Sequence, residues 1–322
     1  MHYPEPMDGI AIDVRNLKKS YGDLEAVAGI DVQVGQGEVF SLLGPNGAGK
    51  TTTVEILEGY RQRSSGEVNV LGYDPARGER SFKQRIGIVL QSTGVEPYLT
   101  VEEVIELHRG YYPSPRPLDE VIEVVELTAK RKSRVGKLSG GQQRRLDVAV
   151  GLAGDPELLF LDEPTTGFDP SARRHAWAMV KNLQTLGKTV FLTTHYMDEA
   201  QNLADRAAII VGGRIVAEGP PATLGGRAEA PTNVTFQLPP GAPPLPEHLH
   251  ADSSPAGAVQ LEAPEPMRTL HDLTGWALEH NVELESLSVT RPSLEDVYLE
   301  LTGEPPGAAA GSPGVPAAAR PA

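Results

Sequence analysis

The sequence predicts an α/β domain built on a largely parallel sheet, followed by a small α+β module. Short apolar and β-branched runs alternate with longer helical patterns over residues 9–219, as in a series of βαβ units. A glycine-rich loop joins one of these runs to a helix pattern. Pro- and Gly-rich stretches then precede a weaker strand and helix pattern. These three observations together predict the fold class.

The individual elements follow from this alternation. The predicted strands of the domain at 9–219 are Val39–Leu43, Ile86–Leu90, Leu158–Leu161, Thr189–Thr193 and Ala207–Val211. A linker at 220–232 leads to the module at 233–302, whose predicted elements are Asn233–Leu238, Ala258–Leu261, Met267–His280, Leu284–Val289 and Pro292–Leu301. Residues 303–322 have almost nothing apolar to bury, so this tail is predicted to be disordered.

Composition excludes several classes of function. The 322 residues include no cysteine, which excludes disulfides, thiolate zinc sites and cysteine nucleophiles. No apolar run approaches the roughly 18 residues that span a bilayer, and the first residues lack the pattern of a secretory signal. The net charge of -14 argues against nucleic acid as a partner. We therefore expect a cytosolic protein. The basic cluster Lys130–Arg134 is interpreted as a solvated surface or a contact face for phosphate or a partner.

A phosphate-binding loop follows the first strand of the predicted parallel sheet. The segment GPNGAGKT fits the pattern G-x-x-x-x-G-K-[ST] and stands between the strand Val39–Leu43 and a helix pattern. Glycines let backbone N–H groups turn towards phosphate oxygens, and a helix start adds partial positive charge. Lys50 would reach the β- and γ-phosphates and the Thr51 hydroxyl would bind Mg²⁺. The candidate ATP-binding residues here are Gly44, Pro45, Asn46, Gly47, Ala48, Gly49, Lys50, Thr51 and Thr52.

Two carboxylates end another buried strand. Asp162 and Glu163 come directly after LLFL, and ligands of parallel sheets bind beyond the carboxyl ends of the strands. Asp162 is placed to hold the Mg²⁺ shell, and Glu163 could polarise the attacking water. A capped strand end with two solvated acids is the structural alternative.

Three further side chains fit a nucleotide site by position. His195 follows the strand Thr189–Thr193, and Gln91 follows Ile86–Leu90 in the same way. Gln91 could touch both Mg²⁺ and the water, or be an ordinary surface glutamine. Tyr21 precedes the phosphate-loop strand and could stack on a base or pack in the core. No guanine-reading N-K-x-D motif is present, which favours ATP over GTP.

A second glycine-opened helix start lies far downstream, at LSGGQ. Ser139 can cap the helix or donate its hydroxyl, while Gly140 and Gly141 can bring backbone N–H groups close to an anion. The alternative is a plain capped helix. Because one phosphate loop already surrounds its own nucleotide, this surface is expected to cap the γ-phosphate bound by a second copy. Two copies arranged head to tail would then bury two ATP molecules.

Five motifs in this order resemble the nucleotide-binding subunit of an ABC transporter. They are the phosphate loop, Gln91, the signature Leu138, Ser139, Gly140, Gly141 and Gln142, the LLFLDEP segment and the strand-terminal His195. The resemblance covers about residues 9–219. It implies a P-loop NTPase domain of the ABC type, with a helical subdomain at about residues 96–155.

The resemblance also implies a role for each matching residue. Tyr21 is similar to the aromatic residue that stacks on adenine, and Gln91 to the glutamine that senses the transmembrane partner. Glu163 resembles the catalytic base, His195 the switch histidine at the γ-phosphate, and Asp169 the aspartate linking the two sites. The implied metal ligands are Thr51, Gln91 and Asp162. Phe168 departs from the usual leucine and puts only the local packing in doubt.

A narrower resemblance concerns partners. The tail region with PSLEDVY is similar to subunits that serve ABC-2-type exporters, including drug- and antibiotic-resistance pumps. It implies peripheral attachment at the cytoplasmic face of the membrane, on separate integral permease subunits. Two rivals stay open: a soluble ABC ATPase acting on ribosomes or DNA, and a regulatory ATP-binding module. The single phosphate loop and the lack of long heptad segments disfavour the first, and the combination of Asp162, Glu163 and His195 disfavours the second.

Overall fold

The computed structural model describes residues 9–89, 94–226, 231–239, 241–246, 248–249, 251–253 and 258–302. The chain divides into two compact units, Met1–Gly225 and Gly226–Ala322, a division that falls within the predicted linker at 220–232. None of the helices in the described ranges is both long enough and apolar enough to cross a bilayer.

The first unit alternates strands and helices. Its strands are β1 (Ile10–Tyr21), β2 (Leu24–Gly35), β3 (Val39–Leu43), β4 (Ser65–Val70), β5 (Ile86–Val89), β6 (Leu158–Asp162), β7 (Thr189–Thr194), β8 (Arg206–Val211) and β9 (Arg214–Gly219). Its helices are α1 (Lys50–Leu57), α2 (Arg80–Arg85), α3 (Val101–Arg109), α4 (Leu118–Val124), α5 (Gly140–Leu152), α6 (Pro170–Thr185) and α7 (Met197–Leu203).

A six-stranded sheet places the candidate residues at one edge. Its strand order is β5-β6-β7-β3-β8-β9, and every pairing is parallel except that of β8 with β9. All residues of β3 and β7 are buried, as expected for strands covered on both faces. The carboxyl ends of β3, β6 and β7 meet at the same edge. The loops that follow these strands therefore lie side by side.

A three-stranded antiparallel sheet of order β2-β1-β4 was not predicted from the sequence. Its two longest strands pair through repeated register shifts, so the apolar residues of β1 do not alternate cleanly. The alternation that marks a strand in a sequence is thereby lost. This sheet contributes Ile12, Leu17 and Ile30 to one of the two cores of the unit.

The helices α3, α4 and α5 follow one another in the chain between β5 and β6, and they pack together as a separate helical layer. Their buried side chains share one core with β6 and β7. Thr100 starts α3 with a capping box, in which its side chain and that of Glu103 each accept a backbone N–H. Two residues of the basic cluster Lys130–Arg134 form ion pairs within the chain, since Arg131 and Lys132 both contact Glu102.

The second unit is a small α+β module. It contains β10 (Thr232–Gln237), β11 (Ala251–Ser253), β12 (Ala258–Ala263), α8 (Pro266–Glu279), β13 (Glu285–Thr290) and α9 (Leu294–Thr302). The antiparallel sheet has the order β11-β12-β10-β13. Val234, Phe236 and Leu261 of the sheet pack with Leu273 and Trp276 of α8.

Observed bounds agree with the sequence prediction to within two residues for the predicted elements. The helix predicted at Pro292–Leu301 begins at Leu294, because Ser293 caps it with its hydroxyl on the Asp296 N–H. Leu90, at the end of one predicted strand, and the predicted disordered tail at 303–322 lie outside the described residues. The strands β1, β2, β4, β9 and β11 had no counterpart in the prediction.

Candidate functional site

In the loop between β3 and α1, two glycines pack directly against the backbone of neighbouring segments. A Cβ on Gly44 would overlap the carbonyl oxygen of Ile210, and one on Gly49 would stand 2.5 Å from that of Ala26. Gly49 also has a φ of 108°, which side chains rarely adopt. Gly47 has a φ of 82°, but a Cβ built on it would meet no atom within 4 Å and would point into open space. Packing against the neighbouring strands thus requires glycine at two of the three positions.

Backbone N–H groups of this loop are free to bind an anion. Within the described residues, the N–H groups of Gly47, Gly49 and Thr51 donate to no carbonyl of the chain. The first turn of α1 leaves its own N–H groups unpaired and carries the positive end of the helix dipole. This cradle fits the phosphates of a nucleotide in both shape and charge.

Lys50 is the first residue of α1, and its side chain, only 5% exposed, reaches back into the loop. Its Nζ donates to the carbonyl oxygens of Gly44 at 2.7 Å and Pro45 at 3.2 Å, and lies 3.6 Å from Oε1 of Glu163. Burial lowers the pKa of Lys50, whereas the charges of Glu163 and Asp162 act to raise it. A buried cation held by neutral carbonyls can exchange them for phosphate oxygens.

Asp162 and Glu163 stand at the end of β6 and are positioned from β7. The Thr193 hydroxyl donates to Oδ1 of Asp162 at 2.5 Å and accepts the N–H of Glu163 at 3.1 Å. Glu163 adopts a φ of 44°, uncommon for a side chain of this size. One threonine therefore orients both carboxylates. Thr166 adds a hydroxyl that donates to Oε2 of Glu163 at 3.1 Å.

His195 comes to the same carboxylate. Its Nδ1 lies 3.3 Å from Oε1 of Glu163, which places the carboxylate between an imidazole and the Lys50 ammonium. Burial acts to raise the pKa of Glu163, but the interactions with His195, Lys50 and the Thr166 hydroxyl together outweigh it and hold that pKa below its usual value. Glu163 is thus an ionised, largely buried base at neutral pH.

The donor set suits Mg²⁺ only together with a phosphate ligand. Thr51 and Asp162 present a hydroxyl and a carboxylate, the hard oxygen donors that Mg²⁺ prefers. Among the described residues, no group of three or more His, Asp or Glu could hold a metal ion by itself. Mg²⁺ fits here as an ion carried by nucleotide phosphates and water, with one or two protein ligands. Gln91, the third predicted ligand, lies outside the described residues.

The downstream glycine pair opens α5 through a complete capping box. Ser139 Oγ accepts the N–H of Gln142 at 3.4 Å, and Oε1 of Gln142 accepts the N–H of Ser139 at 3.0 Å. Leu138 anchors the segment in the helical core, whereas Ser139 and Gly140 are exposed. The segment is therefore a capped helix start, as the structural alternative predicted, and the cap by itself does not explain the two glycines.

The fold itself does not require these two glycines. A Cβ on Gly140 would meet nothing within 4 Å, and one on Gly141 would make only an ordinary contact with Ala172 at 3.6 Å. Neither residue has a positive φ. Gly140 and Gly141 are the first two residues of α5, and the observed backbone and the free space would both accept alanine there. The room left by the missing side chains faces solvent.

Two grooves surround this helix start. One, of about 490 Å³, lies between Ser139–Gln142 and the loop that holds Phe168 and Asp169. Asp169 caps α6 by accepting the N–H groups of Ser171 and Ala172 at 2.8 and 2.9 Å. The other groove, of about 590 Å³, has Gly140, Phe168 and Glu163 in its walls. Lys50 lines neither of them.

Sequence reasoning missed the residue that joins α5 to the acidic strand end. Arg144 is buried, and its guanidinium donates to the carbonyl oxygens of Pro164 at 3.2 Å and Asp162 at 3.1 Å. It also lies 3.8 Å from Asp147 on its own helix. An arginine in a run of polar residues gives no signal of burial, so only the fold reveals it.

Tyr21 ends β1 beside a turn and is 40% exposed. The side chains of Lys19 and Arg61 approach its ring at 4.9 and 5.4 Å from the centroid. The alternative of core packing is thus wrong, because a core tyrosine would be buried. An exposed aromatic ring is able to stack on a flat base, and the two nearby cations would be displaced or would flank that base.

Comparison with known families matches both units. Residues 27–166 match the family described as "ABC transporter", and residues 232–293 match "ABC transporter domain-containing protein-like, C-terminal domain". The daunorubicin resistance ATP-binding protein DrrA2 of Streptomyces coeruleorubidus is 38% identical over 317 residues, which cover 92% of this chain and 96% of that protein. The Nod factor export ATP-binding protein I of Rhizobium sp. (strain N33) is 37% identical, covering 92% and 98%.

Solved structures agree with the fold of the first unit. The dimeric post-hydrolysis state of the ATP-binding cassette MJ0796, bound to ADP and Pi, is 26% identical. It superposes with a TM-score of 0.58 over 65% of this chain and 98% of that one. The predicted P-loop NTPase fold of the ABC type is thereby confirmed.

Proposed function

Because this chain belongs to the ATP-binding subunits of the ABC transporter family, we propose that it hydrolyses ATP to drive export through a separate membrane permease. Its two relatives named above carry drug resistance and Nod factor export in their names, and the likeness spans nearly the whole of each chain. A small molecule is the proposed cargo, of which daunorubicin is one chemical example.

In the proposed site, the loop Gly44–Thr52 binds the phosphates and Lys50 exchanges its carbonyl partners for phosphate oxygens. Thr51, Asp162 and Gln91 hold Mg²⁺, which would neutralise charge on the phosphates. Tyr21 stacks on the adenine. This assignment is supported by the free loop N–H groups, the buried ammonium and the exposed ring.

Hydrolysis requires a base and a means of holding charge in place. Glu163 accepts a proton as water attacks the γ-phosphorus, and the bond from that phosphorus to the bridging oxygen breaks to give ADP and phosphate. His195 contacts the γ-phosphate and keeps Glu163 oriented. The strained backbone at Glu163 and the Thr193 bridge support a positioned base.

The observation that carries the dimer proposal is the open room at Gly140 and Gly141. Ser139, Gly140 and Gly141 of one copy cap the phosphate bound by Lys50 of another, and Leu138 and Gln142 hold this segment in shape. A helix start with no side chains in front of its N–H groups suits a phosphate bound to another molecule. Asp169, in the wall of the same groove, joins the two sites across the interface.

The proposed partners are a second copy, head to tail, and integral membrane permease subunits. The chain would then act as a peripheral protein at the cytoplasmic face of the membrane. Its relatives support this place, as does the dimeric state of the MJ0796 cassette. The soluble rivals that act on ribosomes or DNA find no support among these relatives.

Complementation between two inactive variants tests the shared site. Lys50→Ala disables the phosphate loop and Ser139→Arg blocks the capping surface, so each variant alone should lack ATPase activity. A mixed dimer retains one intact pair of halves. Random assembly of equal amounts should therefore recover about a quarter of the wild-type rate.

A second mixture provides the matched control. Lys50 and Glu163 lie 3.6 Å apart and belong to the same half, so Lys50→Ala mixed with Glu163→Gln should stay inactive. Equal recovery in both mixtures, or no recovery in either, would contradict the head-to-tail arrangement. The transport role is tested separately by co-purification: an integral membrane protein is expected, and recovery with ribosomes or DNA instead would reject it.

A further inference from the structure

The sheet of the second unit ends in an edge strand with exposed apolar side chains. β13 pairs with β10 on one side, and in the described part of the chain no strand pairs with its other side. Leu287 and Val289 are 41% and 43% exposed. An edge strand presents unpaired backbone N–H and C=O groups, so it is a template for one more strand.

The side chains of Leu287 and Val289 extend the apolar face of the sheet that α8 covers on β10 and β12. Val289 lies directly opposite Val234 of β10, and Val234 is buried in the core that β10 and β12 share with α8. Directly opposed residues project from the same face of a sheet. The apolar face therefore extends onto β13, where it is left in contact with water.

Charges that would protect such an edge stand only at its ends. Proteins commonly blunt an exposed edge with a central charge or proline. Residues 286–290, with the sequence SLSVT, contain neither. Glu285 and Arg291 flank this segment and both are exposed. The one irregularity is Ser286, whose φ of 54° shifts the register with β10 at the first end and leaves Leu287–Thr290 regular.

We propose that β13 pairs with β13 of a second copy of this chain, antiparallel about a two-fold axis at Ser288. In this register Leu287 of each copy lies opposite Val289 of the other. Glu285 of each copy comes to the end of the strand pair where Arg291 of the other lies. The apolar pair and the oppositely charged pair each occur twice, once on either side of the axis, as a two-fold interface requires.

The pairing joins two four-stranded sheets into one continuous sheet of eight strands. It covers the β13 edge of each copy, together with the side chains of Leu287 and Val289. This surface is made of residues from the second unit alone and uses none of the residues assigned to ATP. It therefore stands whether or not the proposed function holds.

Cysteine cross-linking of the full-length chain tests the register, because the native sequence contains no cysteine. Ser288→Cys places two thiols opposite each other on the axis, within the reach of a disulfide. Met267→Cys is the matched control, since Met267 is 83% exposed on α8 of the same unit. Under mild oxidation without nucleotide, Ser288→Cys should form covalent dimer at least about tenfold faster than Met267→Cys. Equal rates for the two variants would overturn the proposal.

Exchange of the end charges provides a second test in the Ser288→Cys background. Glu285→Arg or Arg291→Glu alone opposes like charges at both ends and should slow cross-linking about fivefold. The double exchange restores opposite charges and should restore the rate. A double variant no faster than the single ones would contradict the pairing, with circular dichroism as the control that each variant is folded. If the charge variants and Met267→Cys all cross-linked as fast as Ser288→Cys, the disulfide would reflect random collision. That result would also reject the proposed pairing.

Discussion

Replacement of Glu58 by glutamine should make the first unit more stable at neutral pH. Glu58 follows directly after α1, is 4% exposed, and lies near the carboxylates of Asp162 and Glu55. Burial, followed by these two charges, raises the pKa of Glu58 to about 8 from 4.5. The negative end of the α1 dipole also disfavours a charged carboxylate at this position. Lys83 and His108 line the groove beside it.

The expected magnitude follows from the difference between these two pKa values. Between pH 4.5 and 8 the folded chain keeps a proton on Glu58 that the unfolded chain has lost, so stability falls as the pH rises. Each pH unit in this interval costs about 1.4 kcal/mol. The accumulated loss is about 1 kcal/mol at pH 5 and about 3 kcal/mol at pH 7. Glutamine resembles the protonated carboxyl and has no proton to lose.

Urea unfolding at several pH values measures this difference. The chain contains two tryptophans, Trp177 in α6 and Trp276 in α8, so a Trp276→Phe background makes the fluorescence report on the first unit alone. The free energy of unfolding of Glu58→Gln should exceed that of the parent by an amount that grows from pH 5 to pH 8. The same change at the exposed Glu67 is the control and should show no such growth. A difference for Glu58→Gln that stays constant with pH would refute the reasoning.

Four further substitutions test other contacts. Thr165→Val removes the hydroxyl that donates to the fully buried Glu199 at 2.9 Å, and should lower the free energy of unfolding of the first unit by about 1–3 kcal/mol in urea titrations. Phe236→Ala empties the core of the second unit and should cost about 3–5 kcal/mol, measured by the fluorescence of the tryptophan in α8. Gly44→Ala should abolish ATP binding in an equilibrium assay, because the new Cβ would overlap the carbonyl oxygen of Ile210. Gly140→Ala should leave ATP binding and thermal stability unchanged and lower only the rate of hydrolysis, because its Cβ meets nothing within its own chain.

The parts of the fold that the sequence predicted are those whose signals are local. β3 and β7 are fully buried runs of apolar residues with a few serine or threonine hydroxyls, and such runs can be recognised from the sequence alone. β1 and β2 were missed because register shifts and exposed charges hide their alternation. The phosphate loop and the acidic strand end could be predicted since each role depends on neighbours in the chain.

Residues that act through tertiary contacts gave no such signal. Glu58, Arg144 and Glu199 are charged residues, and charged residues are mostly exposed, so the sequence offers no reason to place them in the interior. Their burial depends on segments up to about a hundred positions away. The same limit applies to the exposed edge of β13, because whether a strand has a neighbour on each side is a property of the sheet.

The two glycine-rich motifs look alike as sequences and differ in physical origin. In the loop before α1, glycine is imposed from within, because the strands and loops around Gly44 and Gly49 leave no volume for a side chain. At the start of α5 there is room for a side chain, and the backbone conformation is one that alanine adopts readily. Nothing within the fold therefore explains glycine at this helix start. Because Gly140 is exposed beside the capping serine Ser139, the proposed reason is the close approach of another molecule.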